Sequence, residues 1–149
     1  EEGSGDMYNK GAWMLHTIRN HVNNDSLWFA TIKQFHLGFQ RKNTNTMEVL
    51  NFFYKKLGKE VNDLFVRYLY QADVPIIEYQ KKRFLWRKNI NIKWKSEAFG
   101  FNLPIMVNGV KVSPTSEWMK IKVKNFQKLR KQLDWRYALY DLEEISKKK

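Results

Sequence analysis

The hydrophobic residues of this 149-residue chain change their spacing at Pro75. Before Pro75 they recur at intervals of three and four residues, which is the spacing of one face of an α-helix. After it they alternate with polar residues, which is the spacing of one face of a β-strand. The change predicts an α+β fold, in which a helical segment of residues 1–75 precedes a β segment of residues 76–149.

The helical segment contains four apolar stripes. They predict helices at about 8–22, 25–40, 47–57 and 61–72. Asp25 or Ser26 is expected to cap the second helix, and Thr46 the third. Gly58 is placed to end the third helix, and Pro75 requires the fourth to stop shortly before it. Because the stripes are wide and strongly aromatic, we expect the helices to pack on each other as a bundle, or on something absent from this chain.

The β segment is predicted from short runs in which apolar and polar residues alternate. The predicted strands lie at 90–94, 119–123 and 135–139, with further strands within 76–86 and 103–112. Asn108-Gly109 separates two short apolar runs and is a strong signal for a tight hairpin. The pattern as a whole predicts a small antiparallel sandwich of the immunoglobulin-like kind.

The net charge of +12 falls almost entirely on the β segment. Residues 1–75 carry a net charge of +1, and residues 76–149 carry +11. Such an excess first suggests that the partner is a nucleic acid or another anionic polymer. The interpretation we favour is that the lysines on alternate positions form the solvated faces of half-buried strands, where they also discourage pairing between sheet edges.

Residues 81–88, Lys-Lys-Arg-Phe-Leu-Trp-Arg-Lys, interleave cations with aromatic residues. A strip of this kind can bind nucleic acid by stacking on bases and neutralising phosphates. The favoured interpretation places Phe84 and Trp86 in the core of the β domain and predicts no nucleic-acid partner. A non-catalytic module that binds nucleic acid or an anionic polymer remains the alternative function.

Several kinds of chemistry are excluded by what the sequence lacks. It has no cysteine, which excludes disulfides, thiolate metal ligands and a cysteine nucleophile. His16 and His21 are five residues apart and therefore point to different faces of a helix, whereas a zinc-binding HExxH motif needs the interval i, i+4. We predict no metal or cofactor site within this chain. No apolar run approaches the ~18 residues that a membrane span requires, so none is predicted.

The most specific signal lies in residues 7–19, which read Met-Tyr-Asn-Lys-Gly-Ala-Trp-Met-Leu-His-Thr-Ile-Arg. The run Tyr-x-Lys-Gly-Ala, followed by an aliphatic face and an arginine, resembles the aminopeptidase N family of gluzincin zinc peptidases, which includes the leukotriene hydrolases. The resemblance continues in order through residues 27–29, 43–49 and 61–75. Tyr70 and Val74 depart from the commoner residues of that family. After Pro75 the resemblance is limited to the small β domain that follows in the family.

The resemblance implies a catalytic role for Tyr8 alone. In that family the phenol of this tyrosine donates a hydrogen bond to the oxyanion formed when zinc-bound hydroxide attacks the scissile carbonyl. The position suits the role, because a helix start is the positive end of the helix dipole. Gly11 is expected to let another backbone approach closely. An aromatic residue that simply packs at a helix start is the alternative for Tyr8.

The family's HExxH motif, its downstream glutamate ligand and its glycine-rich substrate-binding strand all precede the catalytic tyrosine, and this chain contains none of them. The resemblance therefore implies the C-terminal part of a larger zinc aminopeptidase. Residues 1–75 would be the last helices of its catalytic domain. The parent enzyme would hold zinc and cleave N-terminal residues from peptides, and its upstream segment would be the partner of this chain. The isolated chain is expected to bind no catalytic zinc and to be inactive. Bacterial members are often exported, but the sequence itself decides no compartment.

Overall fold

The computed structural model describes residues 6–95 and 103–146. The chain divides into two compact units, Glu1–Ala72 and Asp73–Lys149. The first unit is helical and the second is built mainly from strands. The predicted α+β class, with four helices followed by strands, is confirmed. The further interpretation, that these units are part of a catalytic domain and an immunoglobulin-like domain, stays a prediction.

The helical unit contains the four predicted helices. They are α1 (Asp6–Val22), α2 (Asp25–Phe39), α3 (Thr46–Leu57) and α4 (Lys59–Tyr70). The boundary between α3 and α4 falls at Gly58, whose φ of +90° lies in the left-handed region that favours glycine.

Two helix caps lie one residue earlier than predicted. Asn24 caps α2, because its side chain accepts a hydrogen bond from the backbone N–H of Leu27 at 3.0 Å. Asn45 caps α3 and accepts from the N–H of Glu48, also at 3.0 Å. The carboxylate of Glu48 accepts in turn from the N–H of Asn45 at 3.3 Å, which completes a capping box. The candidates Asp25, Ser26 and Thr46 were wrong because an asparagine one or two residues before each of them occupies the cap position.

The core of the helical unit is centred on Phe53. Its ring centroid lies 4.8 Å from that of Phe65 and 5.3 Å from that of Phe35. The rings of Phe52 and Trp28 follow at 5.4 Å and 6.4 Å. Aromatic pairs at these separations contribute to stability beyond the area they bury. The aromatic stripes of α2, α3 and α4 therefore pack on one another, as expected for a bundle.

The described residues of the β unit form six strands and a short helical segment. The strands are β1 (Ile76–Phe84), β2 (Arg87–Trp94), β3 (Ile105–Val107), β4 (Val110–Val112), β5 (Met119–Lys122) and β6 (Asp141–Glu144). Between β5 and β6 the chain forms a 3₁₀ turn (Phe126–Lys128) and the one-turn helix α5 (Leu129–Gln132). Strands β5, β2, β1 and β6 form one sheet in that order, and β3 and β4 form a separate hairpin.

The four-stranded sheet is mixed, whereas the sequence predicted only antiparallel pairs. Strand β1 pairs with β2 antiparallel but with β6 parallel. Alternation fixes which residues face the core and says nothing about strand direction, so the parallel pair was not predictable from it. The predicted tight hairpin is confirmed, because Asn108 and Gly109 join β3 to β4 with φ values of +51° and +83°.

The predicted strand at 135–139 is wrong. These residues form turns, and the apolar residue Trp135 is 48% exposed while Ala138 is buried. The N–H of Tyr137 donates to the carbonyl of Asp134 at 2.8 Å, so a turn occupies the first part of the stretch. A turn has no alternation of faces, and the apolar–polar pattern of these five residues therefore does not mark a strand.

The core of the β unit lies on one face of the sheet. It is formed by the fully buried side chains of Ile77, Ile90, Ile92, Trp94, Leu103 and Ile105. The indole N–H of Trp94 is satisfied there by the carbonyl of Leu103 at 3.2 Å. Within the described parts of the chain, no helix has both the length and the apolar character needed to cross a bilayer.

Candidate functional site

Tyr8 lies in the first turn of α1 and is 77% exposed. The first N–H groups of a helix have no partner within it, and the helix dipole is positive at that end. A phenol placed there can donate a hydrogen bond to a group that develops negative charge. The local structure thus leaves Tyr8 accessible as a donor, since the described residues leave most of its side chain uncovered.

Lys10 fixes this first turn against the end of α4. Its ammonium donates to the carbonyl of Gln71 at 2.7 Å and to the carbonyl of Ala72 at 2.8 Å. Carbonyls after the last turn of a helix lack helical partners and carry partial negative charge, so a cation is favourable there. Sequence reasoning assigned Lys10 no role. Its partners lie about 60 residues away in the sequence, and no local pattern could have identified them.

The outer face of α1 carries small and apolar residues beside Tyr8. We call this face, formed by Tyr8, Gly11, Ala12 and Leu15, the outer stripe of α1. Tyr8, Ala12 and Leu15 are exposed and follow at i, i+4 and i+7. A Cβ atom built on Gly11 would meet nothing within 4 Å. The close approach expected at Gly11 is therefore not made by any described residue.

The inner face of α1 is occupied by the bundle core. Met14, Thr17 and Ile18 are buried on this face. The hydroxyl groups of Thr17 and Tyr68 form a hydrogen bond there, and burial raises the pKa of Tyr68 well above its usual range. Tyr68 is therefore a structural tyrosine held inside the bundle, in contrast to the exposed Tyr8.

The histidines do not form a metal centre with other described residues. Nε2 of His16 lies 3.0 Å from Nδ2 of Asn20, and Nε2 of His21 lies 3.2 Å from a carboxylate oxygen of Glu60. His36 is exposed on α2. In the described residues, no three or more His, Cys, Asp or Glu side chains come together as metal ligands would. The residues present do not fit a catalytic zinc ion, so no step of a reaction through zinc is assigned to them.

Trp86 is a functional candidate that the sequence interpretation misplaced. It was expected in the core of the β domain, but it is 83% exposed. The reason is its position in the two-residue turn between β1 and β2, where the alternation of the pleated strands no longer applies. The side chain of Phe84, which the same interpretation placed in the core, lies outside the described residues.

Comparison with known proteins assigns no family to this chain. No protein-family model matches it, and no curated protein matches it. The resemblance of residues 8–75 to the aminopeptidase N family therefore rests on the motif residues alone and stays a prediction.

Proposed function

We propose that this chain is the C-terminal part of a zinc-dependent aminopeptidase, in which Tyr8 stabilises the oxyanion formed during hydrolysis of the first peptide bond of a substrate. The observation that carries the proposal is the ordered resemblance of residues 8–75 to the aminopeptidase N family. The exposure of the Tyr8 phenol at the N-terminus of α1 supports it.

The proposed role requires a phenol that is both accessible and held in place. Tyr8 is exposed, and the two hydrogen bonds of Lys10 hold the first turn of α1 against the end of α4. A donor carried on a fixed helical turn loses little freedom when the transition state forms, which is the condition under which such donors are most effective. The phenol would donate its proton in a hydrogen bond to the carbonyl oxygen as that oxygen gains negative charge.

The proposal also accounts for the exposed apolar faces of the helical unit, because these faces would contact another segment of the parent protein. Besides the outer stripe of α1, a groove of about 460 Å³ lies between α3 and α4 and is lined by Met47, Tyr54, Val66 and Tyr70 among others. The proposed partner is the upstream catalytic segment of the same protein, which would also contribute the zinc ligands and the substrate-binding strand. Peptide substrate would bind in the parent enzyme and not to this chain alone.

The experiment is the substitution Tyr8→Phe in the parent protein, with Tyr137→Phe as a matched control. Both variants remove one phenol hydroxyl, but Tyr137 belongs to the β unit and to none of the surfaces assigned to the partner segment. Tyr8→Phe is expected to lower kcat on an aminoacyl-anilide by roughly 10²- to 10³-fold, the usual loss for one oxyanion donor. Tyr137→Phe should leave kcat unchanged, and both variants should retain the zinc content of the parent.

The proposal fails if the parent protein hydrolyses the anilide equally well with Tyr8→Phe, or if it shows no metal-dependent aminopeptidase activity at all. The 149-residue chain alone is expected to hydrolyse nothing, so activity of the isolated chain would also contradict the assignment of its role.

A further inference from the structure

A basic cleft lies at one end of the four-stranded sheet. It has a volume of about 740 Å³ and is lined by Trp86, Arg87, Lys88, Lys122 and Lys124. Arg87 and Lys88 follow the turn after β1, whereas Lys122 and Lys124 lie at the end of β5 and just after it. The N–H of Val123 donates to the carbonyl of Lys88 at 3.0 Å, so the two segments lie side by side. We call this site the hairpin cleft.

The cations of the hairpin cleft are not neutralised by any carboxylate in the part of the chain that the structure describes. Among the described residues, none of these four cations forms an ion pair with a carboxylate. The ion-paired carboxylates of the β unit lie around the start of β1 and on β6, where they bind other cations. These pairs are Lys93–Glu78, Lys81–Glu144, Lys95–Glu143 and Arg130–Asp141. Positive charge is therefore concentrated at the opposite end of β1, beside the hairpin.

Like charges face each other near the β1–β2 turn, which argues against a purely structural role for the cations there. Arg83 lies directly opposite Lys88 in the register of β1 and β2. Like charges at directly opposed positions destabilise an antiparallel pair. Lys88 lines the cleft, and an anion bound beside it would weaken this repulsion.

The β1–β2 turn also contains residues that are unfavourable in a tight turn. Leu85 has a φ of +53°, a conformation that is unfavourable for a leucine, and both Leu85 and Trp86 are exposed. The other tight hairpin of the same unit uses Asn108-Gly109, which suits positive φ. The Leu-Trp turn thus presents an exposed indole beside the four cations at some cost in conformational energy.

We propose that the hairpin cleft binds single-stranded nucleic acid, with a base stacked on Trp86 and the flanking phosphates bound by Arg87, Lys88, Lys122 and Lys124. Single strands combine a regular negative charge with bases that stack on aromatic side chains, and the cleft offers a partner for both. An acidic peptide would use the cations but not the exposed indole. The expectation that nucleic acid is not a partner depended on Trp86 lying in the core, and its exposure removes that reason. The inference is independent of the role proposed for Tyr8.

The test measures binding of the 149-residue chain to a fluorescein-labelled single strand of twelve thymidines by fluorescence anisotropy. Binding is expected at about 50 mM salt. A plot of the logarithm of the binding constant against the logarithm of the salt concentration should have a slope of about −0.7 for each phosphate neutralised. Four contacts give a slope near −3, or roughly 50-fold weaker binding at about 200 mM salt.

Two variants separate the contributions of stacking and charge. Trp86→Ala should weaken binding by roughly 5- to 150-fold, the range for loss of one base-stacking contact. The double variant Lys122→Gln, Lys124→Gln should make the salt slope shallower by about 1.4. Its control is Lys128→Gln, Lys131→Gln, which removes the same net charge from residues that line a different cleft of the β unit and should leave the slope unchanged. Far-UV circular dichroism checks that every variant is folded.

Three results would overturn the proposal. One is the absence of binding at about 50 mM salt, where such contacts are strongest. Another is equal loss of binding in the two double variants, which would indicate attraction to net charge and no defined site. The third is full binding by Trp86→Ala together with equally tight binding of heparin or poly-glutamate, which would identify a general polyanion surface.

Discussion

The ammonium of Lys10 lies 2.7 Å from the carbonyl oxygen of Gln71, although the two residues are 61 positions apart in the sequence. The same ammonium binds the next carbonyl, that of Ala72, at 2.8 Å. These bonds join the first turn of the helical unit to the residues that follow its last helix. The exposed Tyr8 lies on that first turn, so the contact connects the closure of the bundle to the position of the candidate catalytic group.

Lys10→Met is expected to destabilise the helical unit by roughly 1 kcal/mol, because the carbonyls of Gln71 and Ala72 lose a charged donor. The measurement is urea unfolding followed by far-UV circular dichroism at the helical band. Lys33→Met is the control, since Lys33 is exposed on α2 and forms no ion pair with a described residue. Equal stability of the two variants would show that the Lys10 contact does not hold the bundle together.

Phe53→Ala is expected to lower the free energy of unfolding of the helical unit by about 3–5 kcal/mol, the usual cost of removing a buried phenylalanine ring. Phe53 contacts four other aromatic rings, so the cavity would be lined on several sides by groups that have lost a partner. Phe29→Ala provides the comparison. Phe29 is exposed and interacts with the guanidinium of Arg19, whose carbon lies 5.0 Å from the ring centroid. Its loss should cost no more than about 1 kcal/mol. Similar costs for the two substitutions would contradict a core centred on Phe53.

The stability of the β unit should fall on acidification through the titration of Glu144. The Lys81 ammonium at 2.7 Å and the Tyr79 hydroxyl at 3.0 Å hold the pKa of Glu144 below its usual value of 4.5. A carboxylate whose pKa is lower in the folded state stabilises the fold above its unfolded pKa, and this stabilisation is lost as the pH falls through the folded pKa. The loss should therefore begin near pH 4.5 and continue below it.

Glu144→Gln should remove that part of the pH dependence, which thermal unfolding measured between about pH 3 and pH 7 can detect. Glu117→Gln serves as the control, because Glu117 is exposed and forms no ion pair within the described residues. If both variants retain the same acid dependence as the original chain, the interaction of Glu144 with β1 contributes nothing to stability.

Leu85→Gly is expected to stabilise the β unit by about 0.5–1 kcal/mol. The substitution removes the conflict between the Leu85 Cβ and a positive φ, and this gain exceeds the entropy that a glycine loses on folding. Gly109→Leu should change the stability in the opposite sense, by about 1–2 kcal/mol, because it creates the same conflict at the second hairpin. Chemical denaturation of both variants measures the sign of the change in the free energy of unfolding. A loss of stability in Leu85→Gly would show that the leucine side chain stabilises the turn by packing.

The parts of the fold that the sequence predicted correctly depend on local signals. Helical spacing identified the four helices, Gly58 marked the end of α3, and Asn108-Gly109 marked a hairpin, because each signal acts within a few residues of the structure it determines. The two helix caps were displaced by one residue for the same local reason. In each case more than one nearby side chain was chemically able to cap, and only geometry separated them.

The failures depend on relationships that are distant in the sequence or on the end of a regular element. No pattern near Lys10 reveals the carbonyls that it binds, and none near β6 reveals its parallel pairing with β1. In the sequence, Trp86 extends the apolar–polar alternation of β1, which predicted that it faces the core. In the structure β1 ends before Trp86, so this residue lies in a turn and belongs to neither face of the sheet. Of the candidate site, the sequence supplied Tyr8 through a family resemblance and missed both Lys10 and the exposure of Trp86.

The pairing of β1 with β6 has a consequence for biosynthesis. Residues in this pair, such as Tyr79 and Glu144, are 65 positions apart, so the nascent chain must be extended by that length before β1 has both of its neighbours. At the usual translation rate of about 5–20 residues per second, this delay is roughly 3–13 s. The helical unit has all of its residues before β1 is synthesised and can fold first on the ribosome. The β unit cannot complete its sheet until β6 arrives, and pairing between residues so distant in the sequence is slow.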